Sequence, residues 1–397
     1  MKSSKPSIHI IALSSLGQGL SGGDRIYIEL ARNWSKDRLV ELYVWEEGLL
    51  MCERQSLEGK YLNINLIKVG SIKKLGFITT YLYRIFLGII LGFKLKLYNN
   101  ELIFSASEFA MDCLPAFIAK LRNANIRWIA AWYQTAPNPL RGFSEGSREK
   151  TYRFSALLYW IAQQSIKPVI SRFANFVMVN NELERRQFPK LAKDNIIVVF
   201  GGVKVEEIIE YQRRHPKVKS PKYLAVFQGR FHPQKGVEEL IEIWKLVVDQ
   251  IPNAKLAMIG DGPLMIDVKK KIRDLELSKN IDLLGYLYDG NKKYDVFNNS
   301  KIVVHPAFYD SGGMAAAEAM VFGLPCVGFD LKSYESYYPK GMLKVSIGDK
   351  KAFSEAIIKL VNNKNLYQTL ASEGSKMILD KWSWDKKSQE IVNKVSN

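Results

Sequence analysis

The sequence predicts an α/β protein built from two doubly wound parallel sheets, and three observations support that fold class. The chain has 397 residues, a length that suits two domains. Short apolar runs alternate with amphipathic helical runs in both halves, which is typical of parallel strands covered by helices on both faces. The segment RRHPKVKSP at 213–221 is polar, basic and interrupted by proline, so it indicates a connection between two cores.

The predicted elements follow this plan along the whole chain. In the first half, strands are expected at 7–14, 39–45, 61–69, 101–107, 126–134 and 174–180. In the second half, strands are expected at KYLAVFQG, AKLAMIG, NIDLLGY, KIVVHPA and PCVGF. We therefore place an N-terminal Rossmann-like domain at 1–205, a linker at 206–221 and a C-terminal Rossmann-like domain at 222–375. Two such domains facing each other form a cleft, and ligands bind beyond the carboxyl ends of the strands.

The composition is strongly basic. The chain carries 57 Lys and Arg residues against 40 Asp and Glu, a formal net charge of +17 that suits anionic lipid, nucleic acid or a phosphorylated ligand. No zinc finger, basic zipper or aromatic RNA-binding motif accompanies this charge, so we expect no nucleic-acid partner. The three cysteines are far apart in sequence, which argues against a metal cluster and favours a reducing compartment. The short apolar run near the N-terminus is typical of a first strand, not of a signal peptide.

The stretch DSGGMAAAEAM at 310–320 places Asp310 eight positions before Glu318, with small residues between them. A strand-like run precedes it, and a helix is expected to begin near Gly313. The first turn of a helix has free N–H groups and a positive dipole end, so this junction suits an anion. Glycine at 312 and 313 would let a ligand approach the backbone. A tightly packed turn with Asp310 as the helix cap is an equally good interpretation of the local pattern.

Two further stretches follow predicted strands. GRFHPQKG contains Arg230 and Lys235, whose cations would suit a diphosphate, although solvated surface cations are the commoner case. SLGQGLSGGD is a glycine-rich loop in which Gly22 and Gly23 immediately precede a helix. It does not match G-x-G-x-x-G, and taken alone it favours a structural turn.

These three stretches resemble the signatures of family-4 glycosyltransferases of the GT-B fold. Those signatures are a glycine pair in the first loop, a G-R-x(3–4)-K-G segment and an E-x7-E motif. The resemblance spans nearly the whole chain and is strongest over 222–330, where HPAFYDSGGMAAAEAMVFGLPCVGF follows the family's strand–loop–helix pattern. The segment KWSWDKKSQEIVNKV resembles the closing helix of the family, which implies that residues 376–397 cross back to the N-terminal domain.

The resemblance implies a donor of the UDP- or GDP-sugar type, held mainly by the C-terminal domain, and a retaining transfer without metal or other cofactor. The catalytic residues would be Asp310, Arg230 and Lys235. The resemblance also implies the donor contacts. Arg230 and Lys235 would contact the diphosphate, Glu318 the ribose and Asp310 the sugar. The remaining contacts would be Gly312, Gly313 and Met314 with sugar and phosphate, Gly22 and Gly23 with the diphosphate, and Tyr286 and Leu287 with the base. The chain has no D-x-D triplet, so a metal-bridged diphosphate is unsupported.

Two positions depart from the family's pattern. The first acid is Asp310 instead of Glu, so its reach toward the sugar is one methylene shorter. The acceptor-side loop carries Tyr133 and Gln134 where relatives often have His, and an inverting transfer would need another base, such as Glu108 or Asp112. In a retaining transfer the departing phosphate takes the proton of the acceptor, so the missing His is tolerable. The expected acceptor-side residues are Tyr133, Gln134 and Glu108.

One basic, apolar window raises the question of a membrane. Residues 59–100 contain seven basic residues and no acidic one. Within them, FITTYLYRIFLGIILGF includes Arg84 and falls short of the roughly 20 apolar residues of a spanning helix. We expect burial for most of this helix and core packing for YRFSALLYWIAQQ at 152–164. The basic charge still permits peripheral contact with an anionic membrane.

The sequence thus predicts a cytoplasmic, retaining glycosyltransferase, with the inner face of the plasma membrane as a place of peripheral contact. The expected acceptor is a glycan or lipid-linked saccharide in surface polysaccharide or glycolipid synthesis. Two alternatives stay open. One is a catalytically silent glycosyltransferase-like partner subunit, which the change at Asp310 would suit. The other is a nucleotide-sugar epimerase of the same fold, although no clear acid and base set faces the sugar.

Overall fold

Two parallel sheets organise the chain, one in each of two units. Unit 1 comprises Met1–Ala136, Leu157–Val199 and Trp384–Asn397, and unit 2 comprises Pro137–Ala156 and Phe200–Ser383. The structure, a computed structural model, describes residues 5–15, 20–70, 76–144, 150 and 152–396, without the side chains of residues 77 and 78. The two units confirm the predicted α/β class with two Rossmann-like domains.

Seven strands form the described sheet of unit 1. They are β1 (Ile8–Ala12), β2 (Val40–Val44), β3 (Leu62–Leu66), β4 (Leu102–Ser105), β5 (Arg127–Trp132), β6 (Phe176–Val179) and β7 (Ile196–Val198). The helices are α1 (Gly22–Trp34), α2 (Glu46–Arg54), α3 (Phe77–Lys94), α4 (Ala110–Arg122) and most of α5 (Arg153–Phe173). The strand order is β3-β2-β1-β4-β5-β6-β7 and every pair is parallel. The order reverses between β1 and β4, which makes their carboxyl ends the switch point of the sheet.

Six strands form the described sheet of unit 2. They are β8 (Tyr223–Gln228), β9 (Leu256–Ile259), β10 (Ile281–Gly285), β11 (Ser300–His305), β12 (Cys326–Phe329) and β13 (Met342–Val345). The helices are α6 (Val205–Arg214), α7 (Val237–Gln250), α8 (Met265–Asp274), α9 (Asn291–Asn298), α10 (Met314–Val321), α11 (Tyr334–Tyr337), α12 (Lys350–Asn362) and α13 (Lys364–Lys381), followed by α14 (Trp384–Ser396) of unit 1. The order β10-β9-β8-β11-β12-β13 is the doubly wound order, with its switch point between β8 and β11.

Apolar side chains cover both faces of the unit 2 sheet. Val226 belongs to one buried cluster, whereas its neighbours Ala225 and Phe227 belong to another. Because successive side chains of a strand point to opposite faces, the two clusters lie on opposite sides of the sheet. Burial on both faces explains why these strands are continuous apolar runs in the sequence. It also leaves the ends of the strands as the place for polar residues.

The predicted linker at 206–221 is wrong over its first half. Residues Val205–Arg214 form α6, and the side chains of Val205, Ile208 and Tyr211 are buried in a core cluster of unit 2. Their spacing of three residues gives one apolar helix face. The charged residues on the other face of α6 made this apolar pattern hard to recognise in the sequence. Only 215–221 lack regular structure.

The predicted closing helix at 376–397 consists of the end of α13 and the whole of α14, so the boundary predicted at 376 is wrong. Helix α13 continues to Lys381 within unit 2, where Trp382 is buried with its ring 4.7 Å from that of Tyr337. Helix α14 then belongs to unit 1, where the Trp34 indole of α1 donates to the Ser388 carbonyl at 3.0 Å. The change of unit therefore occurs after Ser383.

The segment between β5 and α5 departs from the predicted N-terminal domain at 1–205. Residues Pro137–Ala156 belong to unit 2. The Phe143 ring packs edge-on to His232 with centroids 5.6 Å apart, and Lys150 lies 2.8 Å from the Glu238 carboxylate. One aromatic contact and one ion pair thus fix this segment to the unit that follows it in sequence.

Helix α3 is only partly buried. Arg84 is 2% exposed and donates to Glu47 at 2.8 Å, so the charge inside this apolar helix is paired within the protein. Leu82, Phe86 and Phe93 are exposed. Among the described helices, none combines the length and the apolarity that crossing a membrane requires.

The first half of α5 was expected in the core, and that prediction is wrong. Phe154, Leu157, Leu158 and Ile161 have exposed fractions of 71%, 39%, 52% and 53%. These positions follow the i, i+3, i+4, i+7 spacing of a single helix face. The face is therefore a row of apolar side chains in contact with solvent. The second half of α5 is packed, with Ile166 and Ile170 in the core of unit 1.

Candidate functional site

The carboxyl ends of β8 and β11 lie side by side in unit 2, because the two strands pair in parallel. β8 ends at Gln228 and β11 ends at His305. The stretches GRFHPQKG and DSGGMAAAEAM follow these strands directly or within a few residues. Ligands of doubly wound sheets bind at such a switch point. The topology therefore brings the two most informative motifs of the sequence to the same place.

Asp310 is buried at this edge and accepts hydrogen bonds from four groups. Its Oδ2 lies 2.5 Å from Lys235 Nζ, 3.2 Å from His305 Nε2 and 3.2 Å from the Tyr334 hydroxyl. Its Oδ1 accepts the Gly312 amide at 3.2 Å. The carboxylate thus fixes Lys235 of one loop to the loop that follows β11. Oδ1 has the weaker set of partners, so it is the oxygen better placed to accept from a ligand.

The charges of this cluster follow from burial and pairing. Burial alone would raise the pKa of Asp310, but the Lys235 ammonium and then His305 outweigh it and hold that pKa well below its usual range. Burial lowers the pKa of His305, so its imidazole is neutral at pH 7 and Nε2 donates as an N–H. Asp310 and Lys235 therefore form an ion pair supported by neutral donors.

The two glycines of this loop are required by the protein itself. A Cβ on Gly312 would stand 2.2 Å from Tyr337 Cε2, and a Cβ on Gly313 would stand 2.7 Å from His305 Nε2. Both distances are far below van der Waals contact. The Tyr338 hydroxyl also donates to the Gly313 carbonyl. Neighbouring side chains already occupy the space beside both residues, so packing alone explains why they are glycine. The expected role of keeping a surface open for a ligand is not needed to explain them.

Helix α10 begins where the sequence predicted. Gly313 is its N-cap and provides no side-chain hydrogen bond, so Asp310 is not the helix cap that one interpretation expected. Met314, the first helical residue, is buried. The amides of this end remain predicted donors to a ligand.

Lys235 and Arg230 lie in different environments. The Lys235 side chain is 15% exposed and is held by Asp310. Gly236 follows it with a φ of +64°, and a Cβ there would stand 2.0 Å from the Pro306 carbonyl oxygen, so only glycine fits. Arg230 is exposed and, within the described part of the chain, makes no ion pair. Lys235 is thus preorganised, whereas the Arg230 side chain can move.

Glu318 is buried one turn inside α10 and receives two donors on one oxygen. Its Oε2 lies 2.9 Å from Gln228 Nε2 and 2.8 Å from Lys293 Nζ. Lys293 is 1% exposed and also donates to Asp289. Each acid of the Asp310-x7-Glu318 pair therefore has a lysine of its own.

Tyr286 and Leu287 follow β10, which is the edge strand beyond β9. They share the carboxyl edge with the cluster but lie two strand spacings, about 10 Å, from the end of β8. The Tyr286 and Tyr288 rings pack edge-on with centroids 4.8 Å apart. Their predicted contact with a nucleotide base stays a prediction.

In unit 1, Gly22 and Gly23 are the first two residues of α1, whereas the sequence placed them in the loop just before the helix. Ser21 is the N-cap: its hydroxyl accepts the Asp24 amide at 3.2 Å, and the Asp24 carboxylate accepts the Ser21 amide at 2.8 Å. A Cβ on Gly23 would stand 3.3 Å from Tyr133 Cδ2. Residues 16–19 of the predicted loop lie outside the described residues. The predicted contact of this loop with a diphosphate is untested.

The acceptor-side residues Tyr133, Gln134 and Glu108 lie together. The Tyr159 hydroxyl donates to Glu108 Oε1 at 2.5 Å, and Gln163 Nε2 donates to the Gln134 carbonyl at 2.7 Å. Burial raises the pKa of Glu108. Among the described residues, the Tyr133 hydroxyl and Gln134 Nε2 are buried without a hydrogen-bond partner.

Asp112 lies at the same edge of unit 1 and is fully buried. It accepts the Leu13 amide at 2.5 Å, the Ser14 hydroxyl at 2.8 Å and the Ser107 hydroxyl at 2.5 Å. Burial raises its pKa to about 7, against the lowering effect of these donors. No cation is among its hydrogen-bond partners in the described structure. Asp112 is therefore a poor base for an inverting transfer, because it is enclosed by β1 and its own helix.

Four side chains of the unit 2 cluster were missed: Gln228, Lys293, His305 and Tyr334. Gln228 precedes the GRFHPQKG stretch directly, and His305 precedes DSGG by a few residues. The ends of β8 and β11 could thus have suggested them. Lys293 and Tyr334 come from helices that carry no recognisable motif, and only the fold brings them to the carboxylates.

Comparisons with known proteins show which chains this one resembles. The family described as "Glycosyl transferases group 1" matches residues 208–377. A poly(ribitol-phosphate) alpha-N-acetylglucosaminyltransferase of Staphylococcus aureus is 26% identical over 223 residues, which cover 55% of this chain and 43% of that protein. The capsular polysaccharide biosynthesis glycosyltransferase CapM of Staphylococcus aureus is 26% identical over 209 residues, covering 49% of this chain and 53% of CapM. The chain thus spans about half the length of these curated relatives.

Solved structures resemble the whole chain at low identity. A point mutant of S. aureus TarM, in complex with Fondaparinux, alpha-GlcNAc-glycerol and UDP, has a TM-score of 0.72 at 14% identity and covers 99% of this chain and 100% of its own. Anabaena Alr3699/HepE, in complex with UDP and glucose, has a TM-score of 0.70 at 14% identity, with 98% and 99% covered. The fold is therefore GT-B, and residues 208–377 carry the match to the glycosyl transferases group 1.

Proposed function

We propose that this chain is a retaining glycosyltransferase of the family-4, E-x7-E type that uses a nucleoside-diphosphate sugar as donor. The observation that carries the proposal is the cluster at the switch point of unit 2. Two buried carboxylates, Asp310 and Glu318, are each paired with a lysine, and the exposed Arg230 follows the end of β8 by two residues. Such a set offers cations for phosphate and acceptors for hydroxyls at the edge where ligands bind.

The diphosphate is the leaving group and needs positive charge as it departs. Lys235 supplies a fixed ammonium, and Arg230 is free to fork two phosphate oxygens. The free N–H groups at the start of α10 add partial positive charge. Stabilisation by preorganised cations and dipoles is worth most where the developing charge appears. This arrangement provides for the leaving group without a metal ion.

The sugar and ribose need hydrogen-bond acceptors. Glu318 suits the ribose hydroxyls, and Asp310 suits a hydroxyl of the transferred sugar through Oδ1. In the retaining transfer, the bond from the anomeric carbon to the phosphate oxygen breaks, and the bond to the acceptor oxygen forms on the same face. The acceptor's proton passes to the departing phosphate. The transition state has oxocarbenium character.

The relatives suggest the donor and acceptor class. TarM and HepE were solved with UDP, and the curated relatives act on poly(ribitol-phosphate) or in capsular polysaccharide biosynthesis. We therefore propose a UDP-sugar donor, ahead of a GDP-sugar, and a glycan or lipid-linked saccharide acceptor in surface polysaccharide or glycolipid synthesis. The cluster of Tyr133, Gln134 and Glu108 would bind acceptor hydroxyls.

The test is a binding and turnover screen with UDP-, GDP- and ADP-sugars. Binding is measured by calorimetry and turnover by release of the nucleoside diphosphate. Glu318→Ala and Arg230→Ala should each weaken binding by about tenfold or more, because a charged hydrogen bond is worth roughly 1.5–3 kcal/mol. Matched controls are Glu242→Ala and Arg213→Ala, whose side chains pair elsewhere in unit 2.

Each outcome of the screen separates the proposed enzyme from its alternatives. Binding and slow hydrolysis that are lost in both site variants support the transferase. Binding without any turnover or transfer to an acceptor favours the silent partner subunit. Conversion of the donor into its epimer favours the epimerase. No binding of any nucleotide sugar by the wild type contradicts the proposal.

We also propose peripheral contact with an anionic membrane through unit 1, which would place the enzyme at the inner face of the plasma membrane. Helix α3 exposes Leu82, Phe86 and Phe93, and α5 exposes Leu157 and Leu158. Neither helix contains an acidic residue, whereas both contain basic ones. Apolar side chains with neighbouring lysine and arginine favour an anionic bilayer surface.

The membrane proposal is tested by flotation with vesicles. Wild type should float with phosphatidylglycerol-containing vesicles, and the double variant Leu157→Asn/Leu158→Asn should bind them several-fold less. Ile266→Asn is the matched control, since Ile266 is 80% exposed but lies in unit 2. Equal flotation of the double variant, or equal binding to uncharged phosphatidylcholine vesicles, would contradict the proposal.

A further inference from the structure

A cavity of about 270 Å³ lies beside the second half of α5 in unit 1. Its apolar walls are Pro168 of α5 and three residues between β6 and β7, namely Phe188, Pro189 and Leu191. Pro168 and Pro189 are exposed, so the cavity is open to solvent and a ligand can enter it. Pockets that enclose a whole small ligand measure roughly 300–1,000 Å³. This cavity therefore suits one part of a longer molecule.

The cavity continues the exposed apolar row of α5. Gln164 and Pro168 line the cavity, and they follow the exposed Leu157 and Ile161 on the helix. The four residues are separated by intervals of four, three and four positions, so they lie on one helix face. Between the first and the last of them this face is about 16 Å long. An extended apolar chain can thus lie along the row and enter the cavity.

Trp132 connects the cavity to the expected acceptor-side residues. Its ring packs edge-on to Phe188 with centroids 5.3 Å apart, and the Lys167 ammonium lies 5.8 Å from the centroid of the same ring. Phe188 and Lys167 both line the cavity. Trp132 is the last residue of β5, and Tyr133 and Gln134 follow it directly. The cavity therefore lies next to the proposed acceptor site, within the same unit.

The charge at the cavity favours a phosphate on the bound molecule. Lys167 and Lys190 line it, and none of the described lining residues is acidic. The Lys167 ammonium is held in place, since it donates to the Gln187 side chain at 2.7 Å. Lys190 is exposed, and a lysine binds phosphate as a mobile point charge. Apolar walls beside two ammonium groups match an apolar chain that carries a phosphate.

We propose that the cavity and the apolar row of α5 bind the lipid phosphate of the acceptor. The acceptor is then a saccharide linked through phosphate to an apolar chain, and not a free glycan. The inference rests on the proposed transferase function and selects one of its two acceptor classes. The chain occupies the row and the cavity, Lys190 pairs with the phosphate, and the saccharide extends to Tyr133 and Gln134.

Farnesyl phosphate is the probe, because it joins an apolar chain to a phosphate and is soluble without a bilayer. Calorimetry should show that wild type binds it more tightly than farnesol or inorganic phosphate. Gln164→Glu should weaken this binding by about tenfold or more, because the new carboxylate meets both the apolar chain and the phosphate. Lys190→Gln should lower the affinity for farnesyl phosphate to that for farnesol, and leave farnesol binding unchanged.

Matched controls make the same changes outside the residues that line the cavity. Gln389→Glu adds a carboxylate to an exposed position of α14 in unit 1, and Lys193→Gln removes an exposed lysine near the end of the same connection. Both should bind farnesyl phosphate as wild type does. Equal weakening in the site variants and their controls would show a general effect of charge and would overturn the inference. So would the failure of wild type to bind farnesyl phosphate.

Steady-state kinetics then connects the cavity to the acceptor. A panel of saccharides is assayed in the free form and linked to farnesyl diphosphate, with the donor that binds best in the nucleotide-sugar screen. Wild type should prefer the linked form, and Gln164→Glu should raise the KM for that form several-fold while the KM for the donor stays unchanged. Equal use of both forms, or transfer to free saccharides alone, overturns only the inference. If wild type binds no nucleotide sugar, the proposed function fails, and the acceptor assignment falls with it even where farnesyl phosphate binds.

Discussion

The carboxyl edges of the two sheets carry buried acids, but their electrostatics differ. In unit 2, Asp310 and Glu318 each have a lysine within 2.8 Å, and the pKa of Asp310 is lowered. In unit 1, Glu108 and Asp112 are held by neutral hydroxyl and amide donors, and burial raises both pKa values. The same fold thus places carboxylates paired with lysines at one switch point and carboxyls with raised pKa values at the other.

In the proposed function, this electrostatic difference lets two similar sheets bind different ligands. A fixed lysine suits an anionic donor because it needs no rearrangement, and the exposed arginine can move to meet the same charge. Neutral donors and a carboxyl with a raised pKa suit uncharged hydroxyl groups of an acceptor. The contrast supports the proposal that unit 2 binds the donor and unit 1 binds the acceptor.

The largest expected effect comes from breaking the ion pair between Lys235 and Asp310 in unit 2. Lys235→Met leaves the buried Asp310 without its cation, which should cost about 3 kcal/mol of unfolding free energy in addition to donor binding. Urea unfolding at pH 7 measures this cost. The double variant Lys235→Met/Asp310→Asn should recover part of it, because the uncompensated charge is gone. A single variant within about 0.5 kcal/mol of wild type would contradict the pairing.

The second effect concerns proton binding in unit 1. The folded pKa of Asp112 is about 7, above the value of an unfolded aspartate, so the folded state binds this proton more tightly. The free energy of unfolding should therefore fall by roughly 2 kcal/mol as the pH rises from 5 to 7. Asp112→Asn should remove this contribution to the slope, since an asparagine can accept from Leu13 and donate to the serine hydroxyls.

Urea unfolding at pH 5 and pH 7 measures that slope, with hydrogen exchange of β1 as the local probe. Asp310→Asn is the contrasting control. The folded pKa of Asp310 is lowered, so its contribution is present above the unfolded pKa near 4 and is lost only as pH falls through the folded value. Its own titration lies below pH 5, so any change of slope that this variant causes between pH 5 and 7 comes from His305, whose pKa the Asp310 carboxylate raises. A slope that is as steep in Asp112→Asn as in wild type would contradict the assignment.

The smallest expected effect is at Tyr133. Its hydroxyl is buried without a described partner, so Tyr133→Phe should leave stability unchanged or raise it by about 1 kcal/mol. If this hydroxyl binds the acceptor, the KM for the acceptor should rise several-fold, while donor binding stays as in wild type. Steady-state kinetics with varied acceptor checks this. A variant with lower stability and unchanged KM would show that the hydroxyl serves the fold instead.

The sequence predicted much of this architecture because buried parallel strands are apolar on both faces. Short strands such as Ile196–Val198 and Met342–Val345 were missed, since three or four residues carry little periodic signal. The linker was misplaced because the charged face of α6 outweighed its three buried residues. The solvent-facing row on α5 could not be predicted, since an apolar helix face has the same pattern whether it is buried or exposed.

The sequence likewise predicted one part of the candidate site and missed another. Asp310, Lys235 and Glu318 lie in recognisable motifs, and the structure brings them to one edge. Lys293 and Gln228 have no motif, because their roles depend on which helix and which strand pack beside Glu318. The four-donor environment of Asp310 explains why an aspartate suffices there: its neighbours are already within hydrogen-bond distance, so a longer side chain is not needed to reach them.

Hydrogen–deuterium exchange with and without UDP, GDP or ADP tests the central claim, that the anionic donor binds at the switch point of unit 2. The account predicts that at least one of these nucleotides protects peptides covering 228–236 and 310–318, while peptides around Glu108 and Tyr133 exchange as before. Protection confined to the unit 1 peptides would contradict the account.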